Sequence, residues 1–218
     1  KISIQGGNRM SCCDTFTLTV YGTSAHGAMP HSGNDAIVAS AAIISALQTI
    51  ASRRNNPVSP FVLTIGTING GEQLNIIADK VVMTGTVRSF TTGDHIVKEM
   101  EKIINGVAAA YGVKAELQYK FVLIPLINNV GGLVTLAQDS VKKLYGEDGL
   151  VETESMMVSE DFAYYMEKVS GVFGFLGTYN KEKGLIYGNH SDKFTADEDI
   201  LHKGSATLAQ FAVDFLGE

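Results

Sequence analysis

Cysteine is nearly absent from this chain: there are two, Cys12 and Cys13, and they are adjacent. Neighbouring cysteines cannot reach ordinary disulfide geometry, so a secreted scaffold built on disulfides is excluded and a cytoplasmic location is expected. In a "SCCD" setting without a nearby His or Lys, the pair reads as two small, semi-buried side chains. Compact zinc motifs are missing too, with no CxxC and no HExxH in the sequence. Basic runs stop at the pair Arg53-Arg54, and the net charge is −6 at pH 7, which argues against a nucleic-acid partner or an anionic membrane. The longest apolar stretches, such as "AIVASAAIISAL", are interrupted by Ser and fall short of the ~20 residues of a membrane span. No membrane association is expected. What remains is 218 residues, 45% hydrophobic and 18% charged, a globular balance sized for one large domain or two small ones. A small-molecule or protein partner fits this composition best.

Periodicity supplies the order of elements. "TFTLTVY" alternates Thr and Tyr with Phe, Leu and Val, the period of a half-buried strand. Asn34 and Asp35 can cap a helix through "DAIVASAAIISALQTIAS", with Ile37, Ala41, Ile44 and Leu47 as its expected buried face. Strands follow in "FVLTIGTI" and "DKVVMTGTVRSF", the second with Val81, Met83 and Val87 on one face and Arg88 at the end of a mostly polar face. "TTGDHIVKEMEKIINGVAAAYG" predicts a helix with an apolar stripe from Ile96 to Tyr111, and "KAELQYKF" predicts a one-sided strand. The resulting βαββαβ order is that of a ferredoxin-like split unit, whose sheet has two edges and invites pairing with a second chain. From Pro125 the character changes to helices flanking one convincing strand, "GVFGFLGT", with a short helix starting at "SEDFAYYMEKV". One strand cannot make a stable sheet alone. This half is therefore expected to complete a larger α/β domain whose other part precedes Lys1.

Four places carry residues suited to chemistry. In "GTSAHGAMPHSGNDA", His26 and His31 lie on a loop between strand and helix, where function is often carried. Taken alone, hydrogen bonding of the turn is the plainer reading for both, and a five-residue spacing is not a recognised zinc pattern. His190, in "IYGNHSDKF", sits in a turn at the end of an α/β sheet, where ligands usually bind, but a single His leaves a metal role open. His95 and His202 read as surface residues. "SEDF" at 159–162 can be a paired-carboxylate site, yet Ser159 followed by two acids reads more simply as a helix N-cap and first turn. Arg88 can hold a carboxylate through two parallel hydrogen bonds or can be a solvated strand end, and Asn75 lies beside a Gly-rich turn.

Together, "SAHGAMPHSGNDAI", "GGEQLNIIADKVVMTGTVRSF", "SEDFAYY" and "NHSDKF" resemble, in order and spacing, the dinuclear-metal amidohydrolases related to aminoacylase and glutamate carboxypeptidase. The branch they look most like contains hippurate hydrolase, N-acyl-L-amino-acid amidohydrolase and indole-acetyl-amino-acid hydrolase. The resemblance implies an α/β fold in three stretches: 1–11 as the end of a first catalytic segment, 12–124 as a ferredoxin-like lid that forms a homodimer, and 125–218 as the C-terminal part of the catalytic domain. It implies hydrolysis of the amide of an N-acyl amino acid or small peptide with a free carboxylate, using two divalent metal ions, zinc or manganese, to activate a bridging water.

By matching positions, His190 is a metal ligand and His26 reaches the partner's active site to stabilise the oxyanion. Asn75 and Arg88 hold the carboxylate or developing oxyanion, and His31 shapes the loop. The family's other ligands and its general-base glutamate precede the lid, and none of those motifs is found here. The chain alone is therefore expected to bind no metal pair and to be inactive. The alternative is a non-catalytic dimerisation or ligand-binding module that keeps the lid fold.

Overall fold

The computed structural model describes residues 1–91 and 93–217. Thr92, in the stretch expected as the second helix, and Glu218, at the end of the last, lie outside the described residues. The strands are β1 (Ile2–Ser3), β2 (Gly7–Met10), β3 (Cys13–Tyr21), β4 (Phe61–Gly70), β5 (Lys80–Ser89), β6 (Lys114–Leu123), β7 (Leu126–Asn128) and β8 (Phe175–Leu176). The helices are α1 (Ala36–Thr49), α2 (Asp94–Ala110), α3 (Gly131–Tyr145), α4 (Phe162–Met166) and α5 (Leu201–Leu216). The chain divides into two compact units. One, the sheet unit, comprises Met10–Leu126 with Met156–Ala163; the other comprises Lys1–Arg9, Ile127–Ser155 and Tyr164–Glu218.

The sheet unit is an antiparallel sheet in the order β4-β5-β3-β6. β3 alternates as its sequence predicts, with Phe16, Leu18 and Val20 buried and the threonines between them on the other face. β5 adds Val81, Met83 and Val87 to the same buried layer. Gly85 stands directly opposite Phe16, and a Cβ there would meet the Thr64 carbonyl oxygen at 2.3 Å and the Phe16 ring at 2.4 Å, so the close packing of three strands depends on glycine. A register shift between Ile65 and Thr67 bulges β4 at Gly66.

Both helices of this unit pack on the core face. α2 buries Ile96, Met100, Ile103, Ile104 and Ala108, while Tyr111, expected at the end of that stripe, is exposed just beyond the last helical turn. α1 corrects the expected face more deeply. Asp35 caps it, accepting from the N–H groups of Ile37 and Val38 at 2.8 and 3.1 Å. Its buried residues are Ala36, Ala39, Ser40, Ile43 and Leu47, not Ile37 and Ala41, which are exposed. The helix is apolar nearly all round, so periodicity does not single out a face, and the small residues Ala36, Ala39 and Ser40 let it approach the sheet. With its π-turn continuation it runs 19 residues, Ala36–Arg54, at a mean hydropathy of 1.4, long and apolar enough by composition to cross a bilayer, although a third of that stretch is buried in the fold.

The second unit is smaller in core. Ile2, Ile4, Val134, Ala137 and Val141 form it, with Leu176 and Phe211 packed against them. β1 pairs antiparallel with β8, and β2 pairs with β7. The expected strand "GVFGFLGT" shrinks to the two residues of β8. The cause is a side chain distant in sequence: buried Asn128 donates to the Phe173 and Gln5 carbonyls at 2.9 and 2.8 Å and accepts from the Phe173 N–H at 2.8 Å, taking the bonds a neighbouring strand would. α3 and α5 are joined by Asp214, which accepts from Ser140, Lys143 and Gln210; the Lys143 ammonium beside it holds its carboxyl below the usual range.

The two faces of α1 provide a test. Ile43→Ala should lower stability by about 2–5 kcal/mol through the cavity it leaves. Val38→Ala, on the exposed face, should change it by less than about 0.5 kcal/mol. Denaturant midpoints for the two variants with an unchanged slope check this, and equal losses would place the buried face wrongly.

Candidate functional site

His26 stands on the loop after β3, and its position is set by backbone bonds to the loop before β5. Gly27 N–H donates to the Asn75 carbonyl at 2.7 Å, Ile77 N–H to the Ala25 carbonyl at 2.8 Å, and His26 bridges Ile76. A Cβ on Gly27 would lie 2.9 Å from the Asn75 carbonyl oxygen, so the glycine permits this approach. The imidazole is exposed, and its Nδ1 accepts from the Ala28 N–H at 3.1 Å. That bond places the proton of the neutral ring on Nε2, so the other nitrogen of this exposed side chain is a donor. Asn75 is exposed beside it. His31, in the short 3-10 turn Pro30–Ser32, is exposed within the same loop.

Arg88 lies elsewhere. Tyr21 and Lys80 pair at the end of the sheet that bears His26 and Asn75, whereas Arg88 pairs with Val62 at the other end of β5. Eight residue steps along the strand separate Lys80 from Arg88, about 27 Å at the usual rise. Within one chain the fold thus brings His26 and Asn75 together and keeps Arg88 apart from both. Nor is Arg88 a freely solvated strand end: it is half-buried, and its Nη1 donates to the Ser159 hydroxyl at 2.9 Å. The N-cap reading of Ser159 is corrected by the same contact. α4 begins only at Phe162, whose N–H reaches the Glu160 carboxylate at 3.4 Å, and the Ser159 hydroxyl is turned to the arginine.

Behind Arg88 lies a buried polar corner absent from the sequence-based candidates. Asp14 is 3% exposed and sits on the core face of β3. It accepts from the Tyr119 hydroxyl at 2.8 Å and the Val122 N–H at 3.4 Å, and the Cys12 thiol lies 3.8 Å from it. Burial pushes the Asp14 carboxyl up, against the hydrogen bonds from Tyr119, Val122 and Cys12 and the charge of Arg88. Burial and then Asp14 push the Tyr119 phenol far above its ordinary value, and burial pushes the Cys12 thiol up. Cys12 is fully buried and Cys13 half-buried, so the pair is less symmetric than two semi-buried side chains. A signal for this corner was present: Asp14 has the same parity as Phe16, Leu18 and Val20, and so must point inward.

His190 belongs to the second unit. It is exposed and takes a left-handed backbone conformation, φ 69°, in the turn after Gly188. Among the described residues, no group of three or more His, Cys, Asp or Glu side chains could hold a metal ion. The donors described in this chain therefore do not fit a metal pair by themselves. His95 and His202 are exposed helix residues.

Comparison with known proteins gives a consistent kinship. Residues 13–112 match the peptidase dimerisation domain of the M20 family. The chain is 36% identical over 215 residues to thermostable carboxypeptidase 2 of Saccharolobus solfataricus, covering 96% of this chain and 53% of that protein. It is 33% identical over 213 residues to an N-acetyl-L-cysteine deacetylase of Bacillus subtilis, covering 97% of this chain and 49% of that protein. Among solved structures, a dinuclear metal binding peptidase of the M20 family from Bacillus subtilis superposes with a TM-score of 0.80 at 29% identity, covering 99% of this chain and 53% of that one. The chain spans about half the length of the curated relatives it matches.

Asp14 yields a pH prediction. Its folded pKa is raised, so its contribution to stability is present in full below the unfolded carboxylate value and is lost as pH rises through the folded one. On acidification from neutral pH, wild type should therefore gain stability relative to Asp14→Asn, which has no such group. Urea unfolding of both along the acidic range measures the gap, and a gap that shifts toward the variant on acidification would refute the assignment.

Proposed function

Residues 13–112 are a dimerisation domain of the M20 peptidase family, and from that premise we propose that the chain is part of a homodimeric, metal-dependent amidohydrolase. It would cleave the amide of N-acyl amino acids or small peptides that end in a free carboxylate. The observation that carries this reading is the presentation of His26, an exposed imidazole with Nδ1 bonded to Ala28 N–H, Nε2 left as the donor, and the loop stitched to Asn75. An exposed, pre-oriented N–H donor is what a developing oxyanion requires. Asn75 adds a second polar side chain at the same place, and Arg88 supplies a planar cation suited to a substrate carboxylate. His190 would be one metal ligand, its other ligands and the general base lying outside this chain. When bound, the metal ions would polarise the scissile carbonyl and activate water.

The two ends of the sheet argue for a site shared across a dimer. β4 and β6 are its edges. β6 carries Lys114, Glu116 and Lys120, charges that discourage edge-to-edge pairing. β4 from Gly66 to Gly70 is exposed and uncharged, with Ile68 half exposed, and the exposed Ile37 of α1 lies over Gly71 just beyond it. We take β4 as the edge that meets a second copy. Each site would then use His26 and Asn75 of one protomer and Arg88 of the other.

Complementation tests this directly. His26→Ala should keep the fold and lose about 10²–10³ in kcat, as removal of an oxyanion donor does. Arg88→Ala should raise KM for carboxylate substrates. Mixed, re-equilibrated and assayed at a substrate concentration far below the raised KM of Arg88→Ala, where both homodimers turn over slowly, the pair should recover about a quarter of wild-type activity, because half the dimers are mixed and one of two sites in each is intact. No recovery, with mixed dimers demonstrated by mass, would mean that each site is built within one protomer. A protein that is inert toward a panel of N-acyl amino acids would sink the hydrolase reading and leave the dimerisation module.

A further inference from the structure

We propose that Ser159 is a positioning residue that orients Arg88 for the substrate carboxylate. The inference rests on the reading of Arg88 as the carboxylate-binding group. It starts from a difficulty with any arginine at a strand end: four side-chain torsions leave the guanidinium free to sample many directions, and the freedom lost on binding weakens the complex. A carboxylate neighbour would cure this by an ion pair, but it would also neutralise the charge and compete with substrate. Among the described residues no carboxylate forms an ion pair with Arg88. The partner is instead a neutral hydroxyl, Ser159 Oγ, which accepts one Nη1 hydrogen bond at 2.9 Å. One N–H is fixed, the charge is kept, and the remaining donors stay available for a two-point contact.

The serine is itself held. Val158 and Met156 carbonyls accept from the Ser11 N–H at 2.9 and 3.1 Å, and the Ser11 hydroxyl lies 3.3 Å from the Val158 carbonyl. Ser11 is fully buried, so the residue before Ser159 is fastened to the floor of the sheet unit. On the other side, the Glu160 carboxylate is occupied with Phe162 N–H. Both neighbours of Ser159 are therefore engaged in fixing the backbone, and its hydroxyl alone is directed at the arginine. The two partners are 71 positions apart in sequence, yet Met156–Ala163 belongs to the same compact unit as β5.

The test uses the complete hydrolase that carries this chain, with N-benzoylglycine and its neutral counterpart N-benzoylglycinamide as substrates or competitive inhibitors. Ser159→Ala should raise KM or the inhibition constant for N-benzoylglycine about tenfold, the scale of a hydrogen bond to a charged group, with kcat retained. The value for the neutral amide should not move. Ser159→Thr, which keeps the hydroxyl, should restore the preference. In ¹⁵N spectra the Arg88 side-chain N–H signal should broaden in Ser159→Ala and stay sharp in Ser159→Thr. If Arg88→Ala abolishes the preference for the carboxylate while Ser159→Ala leaves it intact, the positioning role is wrong and the reading of Arg88 stands. If Arg88→Ala leaves the preference unchanged, both fall. Equal losses on the two ligands in Ser159→Ala would show a structural role only and would overturn the proposal.

Discussion

The pairing of β5 between β4 and β3 is the constraint on which the candidate site depends. Hydrogen bonded along both sides, with Met83 and Val87 buried beneath, this strand cannot bend or slip without breaking two ladders and the core together. It therefore acts as a ruler. The loop that positions Asn75 enters it at one end, and Arg88 leaves it at the other. Side chains on flexible loops could have met by rearrangement; side chains at opposite ends of a central strand cannot. A substrate that needs both must either span the strand or draw on a second copy of the sheet.

Rigidity at the Arg88 end comes from polar burial. Placing Asp14, Cys12 and Ser89 inside one end of the sheet costs desolvation, offset by a closed set of bonds: Tyr119 and Val122 to Asp14, and Cys12 with Ser89. The raised carboxyl, phenol and thiol are three expressions of one low-polarity environment. Such a corner holds the local backbone in a single arrangement, and the segment bearing Ser159 is bonded to it through Ser11. The contrast with the His26 end is one of means. There the geometry is held by backbone-to-backbone bonds and glycines in exposed loops, so the imidazole is oriented while remaining accessible.

How far these features can be read from sequence differs from element to element for physical reasons. β3, β5 and β6 alternate cleanly because each has one buried face, and a period of two leaves no ambiguity about which residues point inward. α1 defeated the same approach because Ile37, Val38, Ile43 and Ile44 make it apolar on every side; only the packing of small residues against the sheet decides its face. β8 was overread because "GVFGFLGT" has strand composition, while the bonds that shorten it come from Asn128, 45 positions away. At the site, motif resemblance pointed to His26, Asn75, Arg88 and His190, but not to their grouping, since the distance between two ends of a strand is a property of the register. Ser159 was mistaken for a cap because local pattern cannot reveal a bond to a residue 71 positions away.

The unequal edges of the sheet connect these local facts to the assembly. Were two copies to pair through β4 about a two-fold axis, the strands would run antiparallel. The Gly70 end of one β4, next to the loops of His26 and Asn75, would then lie beside the Phe61 end of the other, where Val62 pairs with Arg88. The ruler that separates the two ends within a protomer would juxtapose them between protomers, at both ends of the combined sheet. A sheet paired instead through β6 would bring charged Lys114, Glu116 and Lys120 into the interface and leave the β4 edge bare. Under that pairing, the antiparallel order that separates His26 and Asn75 from Arg88 within one copy would bring them together between two, with no change in the conformation of either.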